Sequence, residues 1–241
     1  MNLVEFYRTH APCEEADFRF LALKELLKKN IPGTSVLDIG CGTGAMLRSL
    51  ARDGYCVAGV EPDPELYALA QALKEREGFD FKLINSGMQG VSAELMAGFG
   101  SFLMLDVLEH VEDEAALLKR IWAGMPPGST LLCLLPALRA LYGRRDAAVG
   151  HFRRYDMADA RKLFGEVPFS GIDFSYWNLL GVPAYWFFEK VAGRPVPEGF
   201  RQEGAGRLKT VLNALLLRWF MAVENHVRPP AGLSILVKAV K

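Results

Sequence analysis

Three glycines that follow a short apolar run have the composition and spacing of a binding site. Val36-Leu37-Asp38-Ile39 leads directly into Gly40-Cys41-Gly42-Thr43-Gly44. The apolar run predicts a buried parallel strand, and the glycines predict a tight turn into a helix. Because glycine has no Cβ, such a turn lets a ligand approach the backbone closely. The stretch therefore predicts a ligand site at the end of a strand.

The acid inside this run indicates which ligand the turn would accept. Dinucleotide-binding turns have the pattern G-x-G-x-x-G, whereas the third glycine here comes one position earlier. A pyrophosphate needs N–H donors and positive potential, so the Asp38 carboxylate would oppose it. A ligand that carries a protonated amino group and a sulfonium would be stabilised by the same carboxylate. Asp38 therefore favours S-adenosyl-L-methionine (SAM) over NAD.

A second acid ends the next apolar stretch. Residues 55–61 predict a strand, and Glu61 lies about twenty residues after the glycines, where acids of nucleotide-binding βαβ units meet ribose hydroxyls. A carboxylate can accept two hydrogen bonds from a vicinal diol, so Glu61 suits an adenosine. Pro62 follows it, and Asp63 is predicted to cap a helix over 64–77.

Two further turns are predicted at the same edge of the sheet. A strand over 79–84 is followed by Asn85-Ser86-Gly87-Met88, and a strand over 101–105 runs into Asp106-Val107-Leu108-Glu109-His110-Val111. The carboxyl ends of parallel strands form the ligand-binding edge of open α/β sheets. Both turns are therefore expected to contribute to the site.

These motifs resemble those of the class I SAM-dependent methyltransferases, in a branch similar to the methyltransferase type 11/23 families. The glycine turn is similar to motif I, and D-V-L-E-H-V is similar to motif IV. The resemblance implies a Rossmann-like, doubly wound α/β fold with a mostly parallel seven-stranded sheet and an antiparallel last strand, predicted over 233–240. It also implies that SAM binds at Asp38, Gly40, Cys41, Gly42, Gly44, Glu61, Pro62, Ser86, Gly87, Met88, Asp106 and Val107.

Fewer residues are predicted to act on the methyl acceptor, because the cofactor itself carries the reactive group. His110 and His151 are the predicted general bases, since an unperturbed imidazole titrates at about pH 6.5. Tyr155 is a third catalytic candidate in the run G-H-F-R-R-Y-D, which looks like a hallmark of that branch. Arg153 and Arg154 in the same run are predicted to bind an anionic acceptor through forked hydrogen bonds.

An alternative assigns some of these groups to a divalent metal. Asp106, Glu109, His110 and His151 offer two carboxylates and two imidazoles that would position an acceptor hydroxyl on the ion. The set is similar to the E-x-x-E-H motif and distal histidine of small-RNA 2′-O-methyltransferases and related quinone O-methyltransferases. The favoured hypothesis assigns no residue to a metal, and the alternative stays open.

The composition argues against several classes of protein. The 28 Lys and Arg residues balance the 28 Asp and Glu residues, so bulk charge does not suggest a nucleic-acid partner. The four cysteines have neither metal spacing nor a paired framework, which favours a reducing cytosol. No signal-peptide pattern and no apolar run long enough for a bilayer is visible. A cytoplasmic protein without a membrane span is expected.

The remaining pattern predicts a single domain over 1–241 with two helical additions. These are an N-terminal helix over 12–30 and a helical insertion over about 177–227. Residues 193–206 of the insertion predict a mobile loop. The aromatic residues in the insertion and directly before it suggest that it forms a lid over the acceptor, a peripheral membrane contact or a dimer interface. They are Tyr176, Trp177, Tyr185, Trp186 and Phe187.

The favoured function is transfer of a methyl group from SAM to a small-molecule or lipid-like acceptor, at oxygen, by a monomer or homodimer. Two other classes remain open. In the first, the protein holds SAM or S-adenosylhomocysteine without turnover. In the second, it is an NAD-dependent oxidoreductase.

Overall fold

A seven-stranded sheet forms the centre of the protein in a computed structural model that describes residue 15, residues 17–193 and residues 207–241. The strands are β1 (Ser35–Ile39), β2 (Cys56–Glu61), β3 (Lys82–Asn85), β4 (Ser101–Leu105), β5 (Thr130–Pro136), β6 (Gly171–Trp177) and β7 (Ser234–Val240). Their spatial order is β3-β2-β1-β4-β5-β7-β6, and β7 is antiparallel to both of its neighbours. The predicted Rossmann-like sheet with an inserted antiparallel last strand is confirmed.

Helices connect the strands and cover the sheet. They are α1 (Phe18–Asn30), α2 (Ala45–Arg52), α3 (Pro64–Arg76), α4 (Ala93–Ala97), α5 (Glu114–Gly124), α6 (Arg144–Ala148), α7 (Met157–Gly165), α8 (Gly181–Trp186) and α9 (Arg207–Trp219). The predicted cap of α3 is confirmed, since the Asp63 carboxylate accepts hydrogen bonds from the backbone N–H groups of Glu65 and Leu66.

Successive residues of the central strands are buried on opposite faces of the sheet. Phe102 and Leu103, adjacent in β4, are both fully buried. Phe102 packs in the same cluster as Leu131, and Leu103 packs in the opposite cluster with Leu132. Helices on both faces of a parallel sheet produce this pattern, which explains why the strands are apolar without alternation.

Some predicted boundaries differ from those of the structure. β3 begins at Lys82, because Phe79 and Phe81 instead pack their rings together ahead of the strand. The predicted N-terminal helix is seen as α1, and the remaining positions of 12–30, apart from residues 15 and 17, lie outside the described residues. Positions 194–206 of the predicted loop lie outside them too. Among the helices that the structure describes, none is long and apolar enough to cross a membrane.

The C-terminal helices are joined to the rest of the fold through a buried tryptophan. Trp177 donates from Nε1 to the Asn225 amide oxygen at 3.1 Å, and Asn225 donates to the Ala22 carbonyl of α1 at 2.8 Å. Trp177 and Tyr185 are only 1% and 3% exposed. Both side chains pack inside the protein, which counts against a lid role for these two residues, and the lid itself stays a prediction. Trp186 and Phe187 are about half exposed and remain candidates for that lid.

The turn after β1 is packed tightly against the turn after β4. Gly40 has a φ of +73°, and a Cβ added to it would lie 2.7 Å from Cγ2 of Val107. Real Cβ atoms do not come this close to a carbon, so only glycine fits between the two turns. The packing joins the two motifs that the sequence analysis identified.

We expect Gly40→Ala to destabilise the protein more than a glycine substitution that meets open space. Gly54 is the control, because it also has a positive φ but a Cβ there would touch nothing within 4 Å. Gly54→Ala should lower the free energy of unfolding by about 1–2 kcal/mol, the cost of the left-handed backbone. Gly40→Ala should cost about 1–3 kcal/mol more through overpacking, and Val107→Ala should recover part of that difference. Urea unfolding measures both, and equal losses at Gly40 and Gly54 would contradict the packing argument.

Candidate cofactor site and the adjoining histidine site

The glycine turn and the end of β2 form one hydrogen-bonded unit. The Glu61 carboxylate accepts from the backbone N–H of Gly42 at 2.8 Å and from that of Asp63 at 2.9 Å. Each carboxylate oxygen can accept a further hydrogen bond. Burial raises the pKa of Glu61, and the two backbone N–H groups act in the opposite direction. Pro62 lies between Glu61 and Asp63 in the chain, and the hydrogen bond from Gly42 holds this end of β2 against the glycine turn.

Asp38 has a buried carboxyl group with an oxygen that lacks a hydrogen-bond donor among the described residues. It lies within β1, is 3% exposed, and no donor among the described residues reaches its Oδ1. Burial, together with the nearby charge of Glu61, raises its pKa to about 7. An unpaired buried carboxyl group is costly, and a cationic donor would remove that cost. The site therefore suits a ligand with a protonated amino group.

The turn after β3 lies next to this unit. The Asn85 side chain donates to the Glu61 carbonyl at 2.9 Å and to the Pro62 carbonyl, so it fixes the end of β2. Ser86 and Gly87 follow β3 directly. Met88 is 5% exposed and belongs to the main core cluster, as expected of a packing residue.

Asp106 and Val107 form the corresponding turn after β4. Asp106 has a φ of +52°, a left-handed conformation that is uncommon for a residue other than glycine. Its backbone N–H donates to the Leu134 carbonyl of β5 at 3.0 Å. This backbone conformation directs the chain into the short helix Leu108–His110, while Val107 packs against Gly40. The predicted cofactor residues thus come from the carboxyl ends of four adjacent strands.

Glu109, His110 and His151 lie together beside this turn. The two imidazole rings meet edge to face with their centroids 4.6 Å apart. The backbone N–H of Phe152 donates to the Glu109 carbonyl at 2.7 Å and so fixes the loop that carries His151. Potential ligand atoms of the three side chains all lie within 4.8 Å of one another. Asp106, the fourth residue of the predicted metal set, does not belong to this group.

The electrostatics of this group are unusual. Glu109 is fully buried, and no donor among the described residues reaches either of its carboxyl oxygens. Burial and the charge of Asp106 raise the pKa of Glu109 well above its usual range. Burial and the neighbouring His151 lower the pKa of His110, so its imidazole is neutral at neutral pH. A neutral imidazole is the form that can accept a proton.

A buried carboxylate that the sequence analysis missed supports this group. Asp146, in α6, is 1% exposed; its Oδ1 lies 3.0 Å from Nδ1 of His151, and it accepts a hydrogen bond from Nε of Arg154 at 2.9 Å. Its other donors are the Gly143 backbone N–H and the Tyr185 hydroxyl. Burial alone would raise the pKa of Asp146, but the hydrogen bonds from His151 and Arg154 lower it. Its position five residues before His151 is a weak sequence signal, since many loops contain acids.

The other predicted acceptor residues have partners within the protein. The Tyr155 hydroxyl donates to the Glu114 carboxylate, which also pairs with Arg153 at 2.6 Å. Burial and Glu114 raise the pKa of Tyr155, so its phenol does not act readily as a base. Arg154 is 7% exposed, donates to the Ala137 carbonyl and lies over the Tyr185 ring. The predicted roles of these three residues in acceptor chemistry stay predictions, and these contacts count against them for Tyr155 and Arg154.

A surface cavity of about 540 Å³ adjoins these residues. Arg153, Arg154 and Tyr155 form part of its lining, and Glu114 and Lys162 contribute charges of both signs. The cavity therefore offers polar groups of both charges to a small acceptor.

Known proteins similar to this chain support the cofactor type that the motifs predict. The Methyltransf_23 family model, described as a methyltransferase domain, matches residues 7–170. Ubiquinone biosynthesis O-methyltransferase of Xanthomonas campestris pv. campestris is 31% identical over 103 residues. That alignment covers 42% of this chain and 42% of the relative, so the chain spans less than half the length of the curated relatives it matches.

Solved structures show the same fold at low sequence identity. A SAM-dependent methyltransferase of Thermotoga maritima superposes with a TM-score of 0.60 at 17% identity, covering 99% of this chain and 98% of the other. A Haloferax volcanii methyltransferase, solved with the Trm112 methyltransferase activator, gives a TM-score of 0.63 at 14% identity, with 98% and 93% covered. The family match extends over more than half of the 241 residues. The chain therefore belongs to the class I SAM-dependent methyltransferases, the enzymes whose cofactor is S-adenosyl-L-methionine.

Proposed function

We propose that this protein transfers a methyl group from SAM to a hydroxyl oxygen of a small or lipid-like acceptor. The observation that carries the proposal is the position of the two histidines. The turn that packs on Gly40 continues within three residues into His110, whose ring contacts that of His151. A proton acceptor thus lies beside the predicted cofactor turn, and a hydroxyl, as a weak nucleophile, needs one.

On this proposal, Asp38 and Glu61 hold the two polar ends of the cofactor. Asp38 would pair with its amino group, because its buried Oδ1 receives no hydrogen bond from the described residues. Glu61 would accept from the ribose hydroxyls through its free lone pairs. The glycine turn would let the ligand lie against the backbone, with Ser86, Gly87 and Met88 near the adenine. When bound, SAM supplies an electrophilic methyl group on a sulfonium sulfur, and its loss leaves S-adenosylhomocysteine.

The protein's own contribution to the reaction is alignment and removal of a proton. As the acceptor oxygen forms its bond to the methyl carbon, the hydroxyl proton would pass to an imidazole nitrogen of His151 or His110. The environment keeps His110 neutral and therefore able to accept. General-base assistance of this kind contributes about 10²–10⁴ in rate, and alignment supplies the rest.

Two observations support an acceptor with an apolar part. The matched relatives are named for ubiquinone biosynthesis. Of the large apolar side chains that are exposed among the described residues, the C-terminal helices carry most, among them Trp186, Phe187, Leu215 and Trp219. These side chains would cover an apolar tail or contact a membrane surface. We place the reaction in the cytoplasm, with no nucleic-acid partner, in a monomer or homodimer.

We expect Asp38→Asn to weaken SAM binding and to alter its pH dependence. A cationic ligand favours the ionised carboxylate, so binding to the wild type must remove a proton below the Asp38 pKa of about 7. Affinity should therefore rise as the pH increases from about 5 to 8 and level off above it. The variant should bind at least about tenfold more weakly, the loss of a hydrogen bond between charged groups.

Titration calorimetry of SAM measures these effects, with Asp173→Asn on the exposed edge strand β6 as the matched control. A variant that binds SAM as the wild type does would contradict the role of Asp38. A competition series with NAD tests the oxidoreductase alternative, which requires that NAD displace SAM.

Formation of S-adenosylhomocysteine separates an enzyme from a protein that only binds the cofactor. We expect turnover with a catechol or quinol acceptor, and a lower KM when that acceptor carries a prenyl tail. His151→Ala should reduce kcat about 10²-fold or more while SAM affinity stays within about threefold. SAM binding without product, across hydroxyl, amine and thiol acceptors, would overturn the proposal.

A metal-assisted form of the same reaction is the second candidate. Glu109 favours it, because this fully buried carboxyl group receives no hydrogen bond from any described residue. It lies beside two imidazoles and has the chemistry of a cation ligand. Glu109, His110 and His151 would hold the ion, which would lower the pKa of the acceptor hydroxyl when bound.

Chelation tests the metal-assisted form directly. It requires that EDTA abolish turnover, that Mg²⁺ or another divalent ion restore it, and that Glu109→Gln raise the concentration of metal needed for half-maximal activity at least about tenfold. Glu114→Gln is the control, since this carboxylate pairs with Arg153 and lies outside the group. Activity that is indifferent to EDTA and to added metal excludes this form and leaves the metal-free reaction.

A further inference from the structure

We propose that Asp146 is a positioning residue that holds the proton of the His151 imidazole on Nδ1 and thereby leaves Nε2 free to accept the proton of the methyl acceptor. The inference deepens the proposed function and rests on it for the identity of the proton donor. Its structural part, the choice of the protonated nitrogen, depends only on the contacts of Asp146 and can be measured without turnover.

The partners of Asp146 show that its carboxyl group acts only as an acceptor. Nε of Arg154 reaches both of its oxygens at 2.9 Å, and the Gly143 backbone N–H reaches Oδ2 at 2.9 Å. A guanidinium and a backbone N–H can only donate. The Tyr185 hydroxyl adds a third contact to Oδ2 at 3.1 Å. An ionised carboxylate is the form that satisfies these donors together.

This acceptor determines which nitrogen of His151 carries the proton. Nδ1 of His151 lies 3.0 Å from Oδ1 of Asp146, so it must be the N–H nitrogen. A neutral imidazole with a proton on Nδ1 has its lone pair on Nε2. This Nε2 lies on the side of the ring that faces Glu109. Its distance to Oε1 of Glu109 is 3.8 Å, which is beyond hydrogen-bond distance.

The same carboxylate also connects the site to two other parts of the fold. Arg154 donates to the carbonyl of Ala137, just after β5, and Tyr185 belongs to α8 in the C-terminal insertion. The His151 loop is therefore held by the sheet on one side and by the insertion on the other. A base whose orientation is fixed in advance does not need to be ordered during the reaction.

An Asp146→Asn substitution should reverse the protonation of His151. Arg154 and the Gly143 N–H both donate at the Oδ2 position, so the amide oxygen of the variant should occupy that position. The amide NH₂ would then face His151. This NH₂ group would donate to Nδ1 and leave the imidazole proton on Nε2. The lone pair would then point away from the site, although the side chain keeps its size.

Nitrogen NMR of protein labelled with ¹⁵N-histidine tests the proposal, at about pH 8.5, where free imidazole is neutral. His151 is assigned by its disappearance in His151→Gln. We expect a protonated Nδ1 and a bare Nε2 in the wild type, and the reverse in Asp146→Asn. Wild-type His151 with its proton on Nε2 would overturn the proposal, whether or not the variant folds.

Kinetics then test the effect on the reaction. Asp146→Asn should lower kcat about 10²-fold with the KM for SAM changed less than about threefold. Asp173→Asn, an exposed acid paired with Arg228, should leave both the NMR pattern and kcat unchanged. A reversed tautomer with full activity would overturn the role of Nε2. The expected tautomer in a wild type that transfers no methyl group would instead refute the proposed function and leave the positioning of His151 intact.

Discussion

The close contact between the turn after β1 and the turn after β4 is the constraint on which the rest of the site depends. Val107 occupies the space that a side chain at Gly40 would need, so the two turns have one relative position. Asp38 precedes the first turn and His110 ends the second. The contact therefore sets the position of the predicted cofactor residues relative to the histidines, although the two turns are far apart along the chain.

Two buried carboxyl groups, those of Asp38 and Asp146, differ in their hydrogen-bond partners and in the direction of their pKa shifts. Among the described residues, Oδ1 of Asp38 has no donor and the pKa of Asp38 is raised, whereas Asp146 has several donors and a lowered pKa. The first combination fits the proposed role of Asp38 toward a cationic ligand, and the second fits a group that orders its neighbours. Burial is common to both, and their hydrogen-bond partners determine the difference. Glu109 resembles Asp38 in this respect, and this resemblance is the basis of the metal-assisted alternative.

The C-terminal insertion has two unlike surfaces. Its inner side is held by side-chain hydrogen bonds, from Trp177 to Asn225 and from Tyr185 to Asp146. Its outer side is apolar and exposed at Trp186, Phe187 and several residues of α9. A single aromatic-rich stretch thus contains both anchors and surface residues, and the anchors hold the insertion beside the His151 loop.

The sequence alone determined the order of strands and helices, the glycine turn and the cofactor type. These features depend on local signals, namely apolar runs, turn residues and acids at strand ends, which neighbouring residues specify. The tertiary structure decided which polar groups meet. Asp146 contacts Tyr185 from 39 residues away, and Tyr155 contacts Glu114 from 41 residues away. No local pattern encodes such pairs, because they form only when the loop after β5 packs against α5 and α8. For the same reason, the sequence could not show that Arg154, a predicted ligand of the methyl acceptor, is also a buried partner of Asp146.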